Sequence, residues 1–120
     1  MDTYIRLQTL ACGAMLVAPE GEIDLYTAPL LRQELDGALS AAPRAVIVDL
    51  SGTTFFDSSG LSTLARADHV ARRSELRLCV VGAHGPVARI LEISQLTQVL
   101  SCYPDVETAL ADRVPPVTGS

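Results

Sequence analysis

The chain has 120 residues, of which 48% are hydrophobic and 19% are charged, and its formal net charge is -5. That length fits a single domain, and that composition argues against intrinsic disorder. The negative charge argues against nonspecific binding to nucleic acid or to an anionic membrane, because both need clustered positive charge. All nine basic residues are arginine, so there is no lysine for Schiff-base or P-loop chemistry.

The three cysteines, Cys12, Cys79 and Cys102, are widely spaced and form no C-x-x-C pair. With only two histidines beside them, they do not match a zinc site, and we expect neither a metal nor a cofactor. Each cysteine is predicted to be a small buried apolar residue in a reducing compartment. No apolar run approaches the roughly 20 residues that span a bilayer, so we expect a cytoplasmic protein without a membrane partner.

The first half of the chain predicts a hairpin, a helix and a buried strand. Residues 4–10 alternate apolar and polar, Cys12-Gly13 offers a turn, and 14–18 forms the partner strand, extended to Asp24 with a bend at Gly21. Thr27 as N-cap and Pro29 in the first turn begin a helix. Its predicted apolar face consists of Leu30, Leu31, Leu35, Ala38 and Leu39.

The β-branched run over 45–50 predicts a buried strand, and a second helix follows from Ser58 to about Arg72. In that helix Leu61, Leu64, Ala65 and Val70 should face inward, and Arg66, Asp68, His69, Arg72 and Arg73 outward. The remaining elements are a strand over 76–81, a helix from Pro86, a strand over 99–103, a helix over 106–111 and a flexible tail over 113–120. This order predicts an α/β domain with a mixed sheet, whose later strands are parallel, packed with about four helices.

The stretch Phe55-Phe56-Asp57-Ser58-Ser59-Gly60-Leu61 joins an apolar, strand-like run to the second helix. Ser58 or its neighbour should occupy the N-cap or first turn, where free backbone N–H groups favour negative charge. A phosphate on Ser58 would therefore be tolerated locally. Taken alone, however, the same residues are typical of an ordinary helix start. Asp24 should lie at the same edge of the sheet, outside the carboxyl ends of the strands.

Three segments resemble the STAS domain of bacterial anti-sigma factor antagonists. The first is Asp49-Leu50-Ser51-Gly52 followed by 56–61, the second is Gly21-Glu22-Ile23-Asp24 followed by Thr27-Ala28 and Leu30, and the third is 86–94 followed by Leu96. They occur in the family's order, so the resemblance covers residues 1 to about 112. It implies a STAS domain over 1–112.

The resemblance also implies a function. An anti-sigma factor with Ser/Thr kinase activity would bind the unphosphorylated protein and release the sigma factor, and phosphorylation of Ser58 would end that binding. A phosphatase that resets the switch would be a further partner. The ATP site and the catalysis would belong to the kinase, so this protein would have no catalytic residues.

Six residues are the candidates for contact with the partner: Glu22, Asp24, Asp57, Ser58, Ser59 and Gly60. Asp57 could cap the helix, hold the serine hydroxyl or contact the kinase. Gly60 could permit close approach of a partner or of the sheet. Glu22 and Asp24 are expected at the interface or in a cap rather than as a catalytic pair, because no nucleophile with its base lies near them in the sequence.

Two departures from the family concern the helices. Ser62-Thr63 stands where members often have a glycine or an apolar residue, and Gln95 replaces the glycine usual after Ser94, which puts a left-handed helix end there in doubt.

Two other functions compete with the switch. A STAS scaffold or accessory subunit of a signalling or lipid-transport complex would use the same corner without being switched at Ser58. A hydrolase built on Ser58 and a histidine is disfavoured, because the G-x-S-x-G elbow is missing.

Overall fold

A six-stranded mixed sheet forms the centre of the computed structural model, which describes residues 3–112. The strands are β1 Tyr4–Thr9, β2 Met15–Ile23, β3 Val46–Asp49, β4 Thr53–Phe56, β5 Leu78–Val81 and β6 Ser101–Tyr103. The helices are α1 Ala28–Ser40, α2 Ser58–Arg73, α3 Gly85–Ile93 and α4 Val106–Ala111. The predicted tail over 113–120 lies outside the described residues.

The strand order is β1-β2-β3-β5-β6, and β4 pairs with the far end of β2. β1 and β2 form the predicted antiparallel hairpin, and every other pairing is parallel. The expected mixed sheet with four helices is therefore confirmed.

β2 pairs in parallel with two different strands along its length. The start of β2 pairs with β3, whereas Gly21, Glu22 and Ile23 pair with β4 after a bulge between Gly21 and Glu22. Gly21 has a φ of 104°, so the predicted bend is present where glycine tolerates it. The sequence pattern did not separate β4 from the strand before it.

Two apolar layers cover the sheet. The larger one joins α1, α2 and α3 to one face through residues such as Leu31, Leu64 and Leu91, all fully buried. The smaller one includes Ile47, Cys79 and Val81 of the sheet and Ala109 of α4. Arg77 holds α4 against the sheet by donating a hydrogen bond of 2.8 Å to the Ala109 carbonyl oxygen.

Several side-chain predictions need correction. Leu30, assigned to the apolar face of α1, is exposed, because the buried face of that helix follows Leu31 and Leu35 and Leu30 lies beside it. Asp68, expected to face solvent, is 4% exposed and accepts a hydrogen bond of 2.8 Å from Arg72 Nε. Cys12 and Cys102 are exposed, and of the three cysteines only Cys79 is buried as predicted. His69 faces solvent, as expected.

The helix end at Ser94 keeps a left-handed residue although glycine is absent. Gln95 follows the C-cap of α3 with a φ of 66°. A residue with a Cβ in this conformation costs roughly 1 kcal/mol.

Gln95→Gly should therefore raise the free energy of unfolding by up to about 1 kcal/mol. The greater conformational freedom of glycine in the unfolded chain reduces that gain. The free energy of unfolding is measured by urea denaturation. Gln98→Gly, in the short 3-10 helix that follows, is the control and should destabilise. Equal losses from both substitutions would show that the conformation at Gln95 carries no strain.

Candidate functional site

Two strand ends and two helix starts meet at one corner of the sheet. Ile23, the last residue of β2, pairs in register with Phe56, the last residue of β4. The backbone N–H of Asp57 donates a hydrogen bond of 3.2 Å to the Ile23 carbonyl oxygen, which fixes the two chain segments side by side. The turn from Asp24 to α1 and the start of α2 therefore leave the sheet together, as predicted for Asp24 and Asp57.

Asp57 caps α2. Its Oδ1 accepts the backbone N–H of Ser59 at 2.8 Å and that of Gly60 at 3.4 Å. Of the three roles left open for Asp57 by the sequence, the geometry shows this one. The carboxylate satisfies donors of the first turn that no residue within the helix can reach.

Ser58 is the first residue of α2, and it is exposed. Within residues 3–112 its hydroxyl has no hydrogen-bond partner, whereas the neighbouring Asp57 carboxylate is used by the cap. Ser59 is half-buried in the first turn, and its carbonyl oxygen accepts a hydrogen bond from the Thr63 hydroxyl. Of the two adjacent serines, Ser58 is therefore the more accessible to another molecule.

Gly60 is buried where α2 crosses the strand ends. A Cβ on this residue would lie 2.7 Å from Cδ2 of Phe56 and 3.0 Å from Cγ2 of Ile23. The geometry favours the second of its two open roles, the close approach of helix and sheet. It also explains how α2 can start directly at the end of β4.

Asp24 and Thr27 lock the turn between β2 and α1. Asp24 Oδ1 accepts the backbone N–H groups of Tyr26 and Thr27 at 2.9 and 3.0 Å, and Thr27 Oγ1 accepts the N–H of Asp24 at 2.8 Å. Thr27 is the N-cap residue of α1, as predicted, but its hydroxyl bonds to this turn and not to the helix.

The hydrogen bonds of this turn favour the charged form of Asp24. The hydrogen bond from the Thr27 backbone holds the pKa of the Asp24 carboxyl below its usual value, against the opposing effect of desolvation. A carboxyl whose pKa is lowered on folding stabilises the fold at neutral pH and loses that effect as the pH falls through the lowered pKa. The side chain of Glu22 is exposed, and its carbonyl oxygen accepts hydrogen bonds from the hydroxyls of Thr3 and Thr27.

The described residues contain neither a candidate metal site nor a helix that could span a membrane. No group of three or more His, Cys, Asp or Glu side chains in residues 3–112 is placed to hold a metal ion. Over the same residues, no helix has the length and apolar character that a membrane crossing requires. Asp49 accepts the backbone N–H of Ser51 at 3.0 Å.

Comparison with known proteins identifies the fold family, because the STAS domain matches residues 7–109. The chain belongs to the STAS domain family. It is 36% identical over 109 residues, 88% of this chain and 74% of the relative, to a Mycobacterium tuberculosis protein provisionally named an anti-anti-sigma factor. Relatives of this kind are regulatory binding proteins and not enzymes, in agreement with the expectation for this STAS chain.

Solved structures agree with this assignment. An anti-sigma factor antagonist from Mycobacterium paratuberculosis is 30% identical, covers 92% of both chains and has a TM-score of 0.79. The Bacillus cell fate determinant SpoIIAA in its phosphorylated form is 16% identical, covers 90% of this chain and 97% of its own, and shares the STAS fold with a TM-score of 0.68.

Removing the cap tests the role of Asp57. Asp57→Ala should lower the free energy of unfolding by about 1 kcal/mol, because two N–H groups of the first turn lose their acceptor. Asp57→Ser, which keeps a capping oxygen, should recover most of that loss in urea denaturation. An equal loss in both variants would contradict the capping role.

Adding a methyl group tests the packing of Gly60. Gly60→Ala should destabilise by about 1–3 kcal/mol, because the buried Phe56 ring cannot move away, and this exceeds the gain of about 1 kcal/mol in helix propensity. Gly37→Ala in α1 is the matched control: a Cβ there would have no atom within 4 Å, so it should stabilise by about 0.5–1 kcal/mol. Stabilisation by both alanines in thermal unfolding would overturn the close-approach argument.

Proposed function

We propose that this protein is a switchable anti-sigma factor antagonist. In its unphosphorylated form it binds an anti-sigma factor that is also a Ser/Thr kinase, and a sigma factor is released. Phosphorylation of Ser58 by that kinase, using ATP, ends the binding, and a phosphatase resets it. Since ATP is consumed, we place these events in the cytoplasm.

The observation that carries this proposal is the position of the Ser58 hydroxyl. It is exposed at the first position of α2. A kinase can reach an exposed hydroxyl at a helix start without unfolding the helix. The relatives named above are antagonists, and one protein of this fold exists in a phosphorylated form.

The helix start also tolerates the product. A phosphoserine adds about -1.5 to -2 charges at neutral pH. The N-terminal end of a helix carries a partial positive charge, which favours an anion in the first turn. The adjacent Asp57 carboxylate repels the added charge, but its hydrogen bonds to the N–H groups of Ser59 and Gly60 hold it in the cap.

The partner would not tolerate the charge in the same way. Two like unit charges 6 Å apart at an effective dielectric constant of 20 repel by about 3 kcal/mol. One acidic group of the partner facing Ser58 would therefore weaken binding by more than about a hundredfold. The domain itself need not change shape for the switch to operate.

The test uses each ATP-binding anti-sigma factor of the source genome, purified, with the full chain. At least one should bind the wild type and transfer phosphate to it, with mass spectrometry assigning the phosphate to Ser58. Ser58→Ala should bind and resist release by ATP, and Ser58→Asp should bind about a hundredfold more weakly, as measured by calorimetry.

Ser74→Asp is the control for charge alone. Ser74 is the exposed C-cap residue of α2, about 24 Å along the helix from Ser58, so binding should match the wild type. Equal binding by wild type and Ser58→Asp would favour the scaffold or accessory subunit over the switch. Phosphate on Ser59 would move the site by one residue.

A further inference from the structure

Two large apolar side chains project from the corner that carries Ser58. Tyr26 is 85% exposed and Leu25 is 67% exposed, and both lie in the turn between β2 and α1. Tyr26 is the most exposed large hydrophobic residue in the described chain. Single exposed apolar residues are common on protein surfaces, so exposure alone assigns no role to the pair.

The backbone that carries the pair is fixed. Asp24 accepts the N–H groups on the far side of the turn, and Thr27 Oγ1 accepts the N–H of Asp24 and donates to the Glu22 carbonyl oxygen at 2.8 Å. The side chains of Leu25 and Tyr26 therefore project from a turn that is already ordered. An ordered apolar group loses less entropy on binding than one on a mobile loop.

The pair and Ser58 lie on turns that leave neighbouring strand ends. The Asp57 N–H to Ile23 carbonyl bond and the pairing of Ile23 with Phe56 bring the two turns to the same edge of the sheet. Residues 14–31 and 45–65, which include both turns, contain no basic residue. The acidic residues at the ends of β2 and β4 are Glu22, Asp24 and Asp57.

We propose that Leu25 and Tyr26 are the apolar anchor that holds the unphosphorylated protein on its kinase-type anti-sigma factor. The inference rests on the function proposed above and names the partner surface: an apolar pocket bordered by basic side chains. Aromatic anchors on ordered backbone dominate many interfaces, and an acidic surround selects a basic rim.

This arrangement divides two tasks between neighbouring turns. The anchor supplies affinity that does not depend on phosphorylation, because neither side chain is charged. The interaction of Ser58 with the partner changes from favourable to unfavourable when phosphate is added. The affinity of the complex and the size of the switch can then be altered separately.

The experiment measures Kd by calorimetry for the anti-sigma factor that binds the wild type. Tyr26→Ala and Leu25→Ala should each raise Kd by at least about tenfold. Tyr26→Phe should stay within about threefold of the wild type, because the ring rather than the hydroxyl fills the pocket. Thermal unfolding should be unchanged in all three variants, since both side chains are exposed.

Ile93→Ala is the matched control. Ile93 is 69% exposed at the C-terminal end of α3 and should leave Kd unchanged. A change below about twofold in both Tyr26→Ala and Leu25→Ala, or an equal loss in Ile93→Ala, would overturn the anchor.

The two proposals fail in different ways. If Ser58→Asp weakens binding while the Leu25 and Tyr26 variants do not, the switch stands and the anchor is wrong. If the Leu25 and Tyr26 variants weaken binding while Ser58→Asp does not, the anchor stands and the switch is wrong. Failure of every ATP-binding anti-sigma factor to bind the wild type would overturn both.

Discussion

The close contact of Gly60 with Phe56 and Ile23 is the constraint on which the corner depends. With only Asp57 between the end of β4 and the start of α2, the first turn of the helix passes over Phe56, the last residue of the strand. The missing Cβ at Gly60 leaves room for the Phe56 ring beneath α2. Because Ile23 pairs with Phe56, the same contact aligns the end of β2 with the start of α2. The positions of Ser58 and of the Asp24 turn both follow from it.

Two acidic residues of the corner, Asp24 and Asp57, stabilise structure in the same way. Asp57 accepts backbone N–H groups at the start of α2, and Asp24 does so in the turn before α1. Their carboxylates hold the backbone, while the side chains that directly follow them in the chain, Leu25 and Tyr26 after Asp24 and Ser58 after Asp57, are exposed. The interface proposed at this corner is therefore ordered before a partner arrives, so the proposed modification of Ser58 would change binding without changing the fold.

The sequence predicted most elements and the helix-start position of Ser58, because hydrophobic period, glycine and capping residues are local signals. It did not separate β4, whose four residues include Thr53 and Thr54 and whose partner is the far end of β2, a pairing no local pattern reveals. Burial also depends on neighbours. Asp68 is buried beside Arg72, and Leu30 is not on the face of α1 that is buried against the core. The exposed Leu25 and Tyr26 could have been noticed as apolar residues directly after a turn-forming acid.

The smaller apolar layer bears on how the chain is made. Ile47, Cys79 and Val81 are joined there by Ala109, a residue of the last described helix. During synthesis on the ribosome, this face of the sheet stays exposed to solvent until α4 has left the exit tunnel. This holds even if the hairpin and α1 form early. Folding of this domain therefore finishes only after α4 has been translated, and a nascent chain without α4 would expose this apolar face.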